Sequence, residues 1–184
     1  MKSKFKNFTK MKSNIKILGM FIAFMFIFSL TEAQKCKYDY EKTDEFTGEI
    51  SKGLTIKITN WLYIGINKAG DNYYLGASIV INGELNYYVE KGDSLLIKLS
   101  NGEMMTLYSK ERSAPVSQVV QSFYTASVVT RFDIRYDLSE EQLQILSKYD
   151  VTYLRMFAGS NQYDDETFPK TAAKIKNGAV CILQ

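Results

Sequence analysis

The sequence predicts a mainly β domain of the α+β kind: an antiparallel sandwich or barrel-like sheet with one or two short helices near the C-terminus. Three observations predict it. Beyond residue 33, apolar side chains recur with a period of two in several short runs. Glycine- and asparagine-containing turn signals separate those runs at short intervals. A helical period with start signals occurs only from Ser139 onward.

The N-terminus reads as an address rather than as structure. Six lysines (Lys2, Lys4, Lys6, Lys10, Lys12, Lys16) precede an uncharged apolar run from Ile17 to Leu30. A cationic stretch followed by a short apolar one is the layout of a secretory signal peptide. At about 1.5 Å per residue the run covers about 21 Å as a helix, and a bilayer core is about 30 Å thick. A permanent anchor is therefore the weaker reading. Thr31 and Ala33 place a signal-peptidase cut after Ala33, giving a leader over 1–33 and one β-rich domain over 34–184. Lys35 stands where lipidation of Cys36 would require a small residue.

Removing the leader changes the charge. It carries six of the 23 basic residues and one of the 20 acidic residues, Glu32, leaving 17 basic and 19 acidic residues, net −2. Nucleic-acid binding rests on cationic surface, and no dense Lys/Arg cluster follows Lys42. A nucleic-acid partner is therefore not expected, nor is a stable membrane span after cleavage. The sequence points to the periplasm, the cell surface or the extracellular space.

In chain order, "LTIKITN" sets Leu54, Ile56 and Ile58 opposite Thr55, Lys57 and Thr59, the pattern of a half-buried strand. "WLYIGIN" and "YYLGASIVI" are apolar on both faces, broken by Gly65 and Gly76. Ala69-Gly70-Asp71-Asn72, Asn82-Gly83 and Lys91-Gly92-Asp93 mark turns between runs. "DSLLIKLSNGEMMTLYS" is the clearest hairpin, because Asn101-Gly102 suits a two-residue type I′ turn. That turn pairs Leu99 with Met104 and Leu95 with Tyr108, so Leu95, Ile97, Leu99, Met104 and Tyr108 are expected on one face. "VSQVVQSFYTASVV" reads as a strand bent near Ala126, and "RFDIRYD" sets Phe132, Ile134 and Tyr136 inward. Ser139 and Gln142 form a capping-box pattern for a helix with Leu143, Leu146 and Tyr149 on one face. "VTYLRMF" returns to strand. Pro169 opens a second helix, expected over 169–177.

The chain has two cysteines, Cys36 and Cys181. One reading is a disulfide clamp between the domain's ends, in keeping with an oxidising destination. It would close a loop from residue 36 to residue 181, for which chain entropy gives roughly 5 kcal/mol at the upper end. The other reading is an unpaired Cys181 buried beside Val180 and Ile182.

Chemistry is sparse. There is no histidine, which removes Ser-His-Asp and Cys-His catalysis and the commonest zinc ligand. No P-loop or dinucleotide fingerprint is present. Asp164-Asp165-Glu166 reads as a solvated loop, and Asp44 to Gly48 as an acidic turn closed by glycine. No catalytic residue, cofactor or metal is assigned. Tyr73-Tyr74 and Tyr87-Tyr88 are adjacent pairs, so one ring of each points outward from a strand. These four are the candidate binding surface, weighed against ordinary packing.

Three passages carry a resemblance: "CKYDYEKTDEFTG" (Cys36 to Gly48), "VEKGDSLLIKLSNGEMMTLY" (Val89 to Tyr108) and "YDLSEEQLQILSKYDVTYLRMF" (Tyr136 to Phe157). Together they resemble a group of small exported proteins of unknown function from Bacteroidota. The resemblance implies an exported β-rich domain with a late helix, and no activity or catalytic residue. The chain departs from the group at "KERSAPVSQ", where a cysteine or glycine is expected and neither occurs. The expected function is a non-enzymatic envelope module that binds a protein or glycan partner. A carbohydrate-binding module using the exposed tyrosines is the alternative. A carboxylate-dependent hydrolase is a third, and it requires two acids about 5 to 9.5 Å apart in a cleft.

Overall fold

The computed structural model describes residues 36–121 and 125–184. The leader assigned to 1–33 lies outside them. The described residues form ten strands and two helices: β1 (Tyr40–Thr43), β2 (Ile50–Lys57), β3 (Leu62–Ala69), β4 (Asn72–Asn82), β5 (Ser94–Leu99), β6 (Met104–Tyr108), β7 (Val116–Gln121), β8 (Ala126–Leu138), α1 (Glu140–Lys148), β9 (Val151–Ala158), β10 (Asn161–Glu166) and α2 (Pro169–Leu183). They build a six-stranded sheet in the order β1-β2-β3-β4-β8-β7 and a four-stranded sheet in the order β10-β9-β5-β6. Every pairing is antiparallel. The domain is thus mainly β, of the sandwich or barrel-like kind the patterning predicts.

Alternation decides which faces are buried. Leu54, Ile56 and Ile58 are buried, as are Phe132, Ile134 and Tyr136, while Thr55, Lys57, Arg131 and Asp133 face water. Leu62, Ile64 and Ile66 of β3 and Leu75, Ala77 and Ile79 of β4 continue that inner face. Leu95, Ile97 and Leu99 of β5 and Leu154 and Met156 of β9 join them in one core cluster. Each such leucine, isoleucine, phenylalanine or methionine contributes roughly 1.5–3 kcal/mol by leaving water.

The helices complete this core. Ser139 accepts a hydrogen bond from the Gln142 amide (3.1 Å), and Gln142 Oε1 accepts from the Ser139 amide (2.9 Å), so the expected capping box forms. Leu143 and Leu146 are fully buried; Tyr149 is the C-cap and is 38 % exposed, so it does not extend their stripe. Helix α2 packs on β2, β3, β9 and α1. It runs to Leu183, past the expected end near 177. Gly178 does not stop it because the glycine serves packing: a Cβ there would stand 2.8 Å from Leu54 Cδ1.

Cys36 and Cys181 form a disulfide with their Cα atoms 5.5 Å apart, which decides between the two readings of the cysteines. Beside it, one carbonyl in the last turn of α2 finds donors from outside the helix. The Tyr38 hydroxyl donates to the Cys181 carbonyl (2.7 Å), and the buried Lys52 ammonium reaches the same oxygen (3.5 Å) and the Tyr38 hydroxyl (3.2 Å). A cation suits the negative end of a helix.

Three expectations are corrected. The β5–β6 hairpin is one residue out of the predicted register: Lys98 faces Met104, and Leu95 faces Leu107. The link is the three-residue loop Ser100-Asn101-Gly102, closed by the Gly102 amide on the Leu99 carbonyl (3.0 Å) and the Leu99 amide on the Glu103 carbonyl (2.9 Å). Gly102 takes φ 89°, and Asn101 does not take a positive φ, so the type I′ geometry is absent. A one-residue slip exchanges the faces: Met105 and Leu107 are buried, while Met104 and Tyr108 face solvent. Second, "VSQVVQSFYTASVV" is two paired strands, with Gln121 opposite Ala126. Third, Asp164-Asp165-Glu166 belongs to β10 rather than to a loop, because β9 supplies cross-strand partners.

Candidate binding surfaces

Strand alternation separates Tyr73 from Tyr74, whereas Tyr87 and Tyr88, expected on a strand, lie in the irregular segment between β4 and β5. Tyr73 and Tyr74 are consecutive on β4 and point to opposite faces. Tyr73 packs against the core with the Lys68 ammonium 5.5 Å from its ring centre. Tyr87 stacks on Phe132 at 5.2 Å and its hydroxyl hydrogen-bonds that of Tyr163; burial and that bond hold its phenol protonated far above the ordinary range. Tyr88 is 38 % exposed, and the Arg112 guanidinium lies 3.5 Å over its ring while pairing with Glu90 at 3.1 Å. The four therefore do not make one surface. Tyr87 belongs to the packing, and Tyr74 and Tyr88 are each engaged by a different arginine.

Tyr74 is instead part of a polar patch on the outer face of the six-stranded sheet. The register sets Tyr40, Gly53, Asn67 and Tyr74 in one cross-strand row, and Thr55, Gly65, Gly76 and Arg135 in the next. The Tyr40 hydroxyl donates to Asn67 Oδ1 (3.3 Å) and so receives the proton of the Tyr74 hydroxyl (3.2 Å). The Arg135 guanidinium sits 4.1 Å over the Tyr74 ring. Burial first, then the bond and charge of Tyr74, push the Tyr40 phenol up to about 12, against a smaller opposing effect of Arg135. Gly53 makes room for this network: a Cβ there would lie 2.2 Å from Asn67 Oδ1 and 2.6 Å from the Tyr40 ring. Gly76 is different, since its Cβ would meet nothing closer than 3.7 Å. Phenol, amide and guanidinium groups above a bare stretch of backbone suit a ligand with several hydroxyls.

The second surface lies on the outer face of the four-stranded sheet. A groove of about 410 Å³ is lined by Leu96, Lys98, Met104, Thr152, Tyr153, Arg155 and Glu166. Two cross-strand rows build it: Glu166, Tyr153, Lys98 and Met104, and beside it Asp164, Arg155, Leu96 and Thr106. Its polar wall is held in place. Asp164 accepts both Arg155 Nε and Nη2 at 2.9 Å, the Tyr153 hydroxyl at 3.0 Å and Gln162 Nε2 at 2.9 Å. Arg155 above all, with Tyr153 and Gln162, holds the Asp164 carboxyl below the usual range, and Asp164 in turn raises the Arg155 guanidinium. A carboxylate so held is a poor proton donor. The acidic run Asp164 to Glu166 is visible in the sequence but reads there as a loop rather than a groove wall, and its partners Tyr153 and Arg155 are not singled out, although "VTYLRMF" shows Tyr153, Arg155 and Phe157 alternating with the core residues Leu154 and Met156.

Two shallower clefts, of about 430 and 520 Å³, share Lys110, Asp137 and Gln142. The Lys110–Asp137 ion pair (3.1 Å) stands where they meet, and Tyr73 lines the larger one with Asp71 and Glu140. Among the described residues no three Asp, Glu, Cys or His side chains converge to hold a metal ion, and no helix is long and apolar enough to cross a membrane. Comparison with family models, curated proteins and solved structures finds no match to this chain.

Proposed function

We propose that the chain is an exported, non-catalytic binding domain of the cell envelope, with the groove of the four-stranded sheet as its recognition surface. The observation that carries this reading is Met104, 72 % exposed at one edge of the groove, with the fixed Arg155–Asp164–Tyr153 wall on the far side of Lys98. A thioether adapts to varied apolar partners, and fixed charges orient them. The groove is within the about 300–1,000 Å³ typical of ligand sites. The signal-peptide layout and a disulfide that persists in oxidising compartments support export. The non-catalytic reading is supported by the absence of histidine from the sequence, the commitment of both cysteines to the disulfide and the ionised state of Asp164.

The test uses a photo-crosslinking residue at position 104 and, as control, at Lys148 on the exposed side of α1. Envelope extract is expected to give a discrete adduct at position 104 alone, lost on Arg155→Ala. Equal labelling at both positions, or none, would remove the reading. The patch of Tyr40, Asn67, Tyr74 and Arg135 favours a second reading, a glycan partner. A glycan array is the matching arm, with signal expected to vanish in Tyr74→Ala.

A further inference from the structure

Sheet edges invite pairing, because one side of the strand leaves backbone N–H and C=O groups unsatisfied. Among the described residues β1, β7, β6 and β10 stand at edges. Three of them are guarded. β1 is four residues long and carries Glu41 and Lys42. β10 carries Asp164, Asp165 and Glu166. β6 has five residues, and its end is tied to β8 by the Ser109–Tyr136 bridge.

β7 has no such guard. No charged residue occurs between Arg112 and Arg131. Every residue of Val116–Gln121 is exposed, with Val116 at 59 %, Val119 at 68 % and Val120 at 44 %. The valines occupy both faces of the strand: Val119 shares one with Val128 opposite it on β8, and Val116 and Val120 share the other. Three valines among uncharged Ser117, Gln118 and Gln121 leave this strand without the charges that blunt an edge.

From these observations we infer that β7 pairs antiparallel with β7 of a second copy, about a two-fold axis at Val119. The occupant follows from charge. Self-pairing sets β10 acid against acid, whereas the same operation on β7 brings no charges together. An axis perpendicular to the sheet keeps each face continuous, so Val119 meets its own mate and Gln118 meets Val120 of the other copy. Val128, Val119 and their two mates then form an unbroken apolar row across the joined sheets. Six residues of edge bury less than the about 1,200 Å² typical of a stable complex, so the dimer depends on concentration.

Sedimentation of the full chain purified after export, over a concentration series, is expected to show monomer and dimer in exchange. Val119→Lys sets two ammonium groups opposite each other and is expected to raise the dissociation constant about tenfold or more. At concentrations where the chain is monomeric its thermal midpoint should stay close to that of the unsubstituted chain, since the side chain is exposed in the single copy. Val119→Cys, with oxidised glutathione as oxidant, is expected to give a covalent dimer, because directly opposed Cα atoms lie about 4.5–5.5 Å apart, within disulfide reach. Ser117→Cys, opposite Gln121 of the mate, should not. A monomer at every concentration, a dimer indifferent to Val119→Lys, or equal crosslinking at 117 and 119 would overturn the inference. Capture of an unrelated extended segment by a strictly monomeric chain would also overturn it.

Discussion

Tyr40, Tyr87 and Tyr136 share a resistance to ionisation, and each has its own surroundings. Tyr136 is fully buried in the core, and the nearby Asp93 charge adds to the burial. Tyr87 stacks on Phe132, and Tyr40 belongs to the outer patch with a phenol pushed up to about 12. All three pKa values are raised, so the folded state keeps its protons longer than the unfolded chain. Their stabilising contribution is whole below the ordinary phenol value near 10 and is lost as pH climbs through the folded values. An absorbance titration near 295 nm should show a class of tyrosines that ionises only as the fold gives way. A single transition near 10 in the native protein would contradict the assignment. Tyr136 was legible as a core residue, because alternation along "RFDIRYD" is local. The patch around Tyr40 was not, because its four members come from four strands and only the register brings them together.

The same contrast holds for whole elements. β2, β8 and α1 announce themselves through alternation and through the Ser139–Gln142 box, whose parts sit within a turn of each other. The β5–β6 hairpin shows how a correct element can carry the wrong register. Asn-Gly fits two turn types, and the choice between them exchanges the buried and exposed faces. That choice is measurable. Met105→Ala should cost about 2–5 kcal/mol in denaturant unfolding, as buried methionine truncations do, and Met104→Ala should stay within about 0.5 kcal/mol. The reverse order would restore the predicted pairing. β10 was missed because its strand character is borrowed: Asp164 pairs with Arg155 across the ladder, and only that partner distinguishes it from a solvated loop. The break between β7 and β8 was missed because the sequence between Gln121 and Ala126 contains neither glycine nor proline. Gly178 misled in the opposite direction, since a glycine chosen for close packing on Leu54 looks the same in sequence as one that stops a helix.

At the scale of the molecule, the disulfide, Tyr38 and Lys52 bind the first described residues to the last turn of α2. Replacing both cysteines with serine is expected to cost about 2–5 kcal/mol. At about 2–4 °C per kcal/mol for a domain of this size, the thermal midpoint should fall by roughly 4–20 °C. Because the sheets and core stay intact, the far-ultraviolet circular dichroism below the transition should be unchanged. No shift in the midpoint would mean that Tyr38 and Lys52 alone secure the ends. The placement of this bond also sets an order of events during biosynthesis. Cys36 leaves the ribosome long before Cys181, so ten strands can assemble while the first thiol waits for its mate. With only two cysteines in the chain there is no wrong internal partner to choose, and maturation calls for an electron acceptor but not for an enzyme that reshuffles bonds.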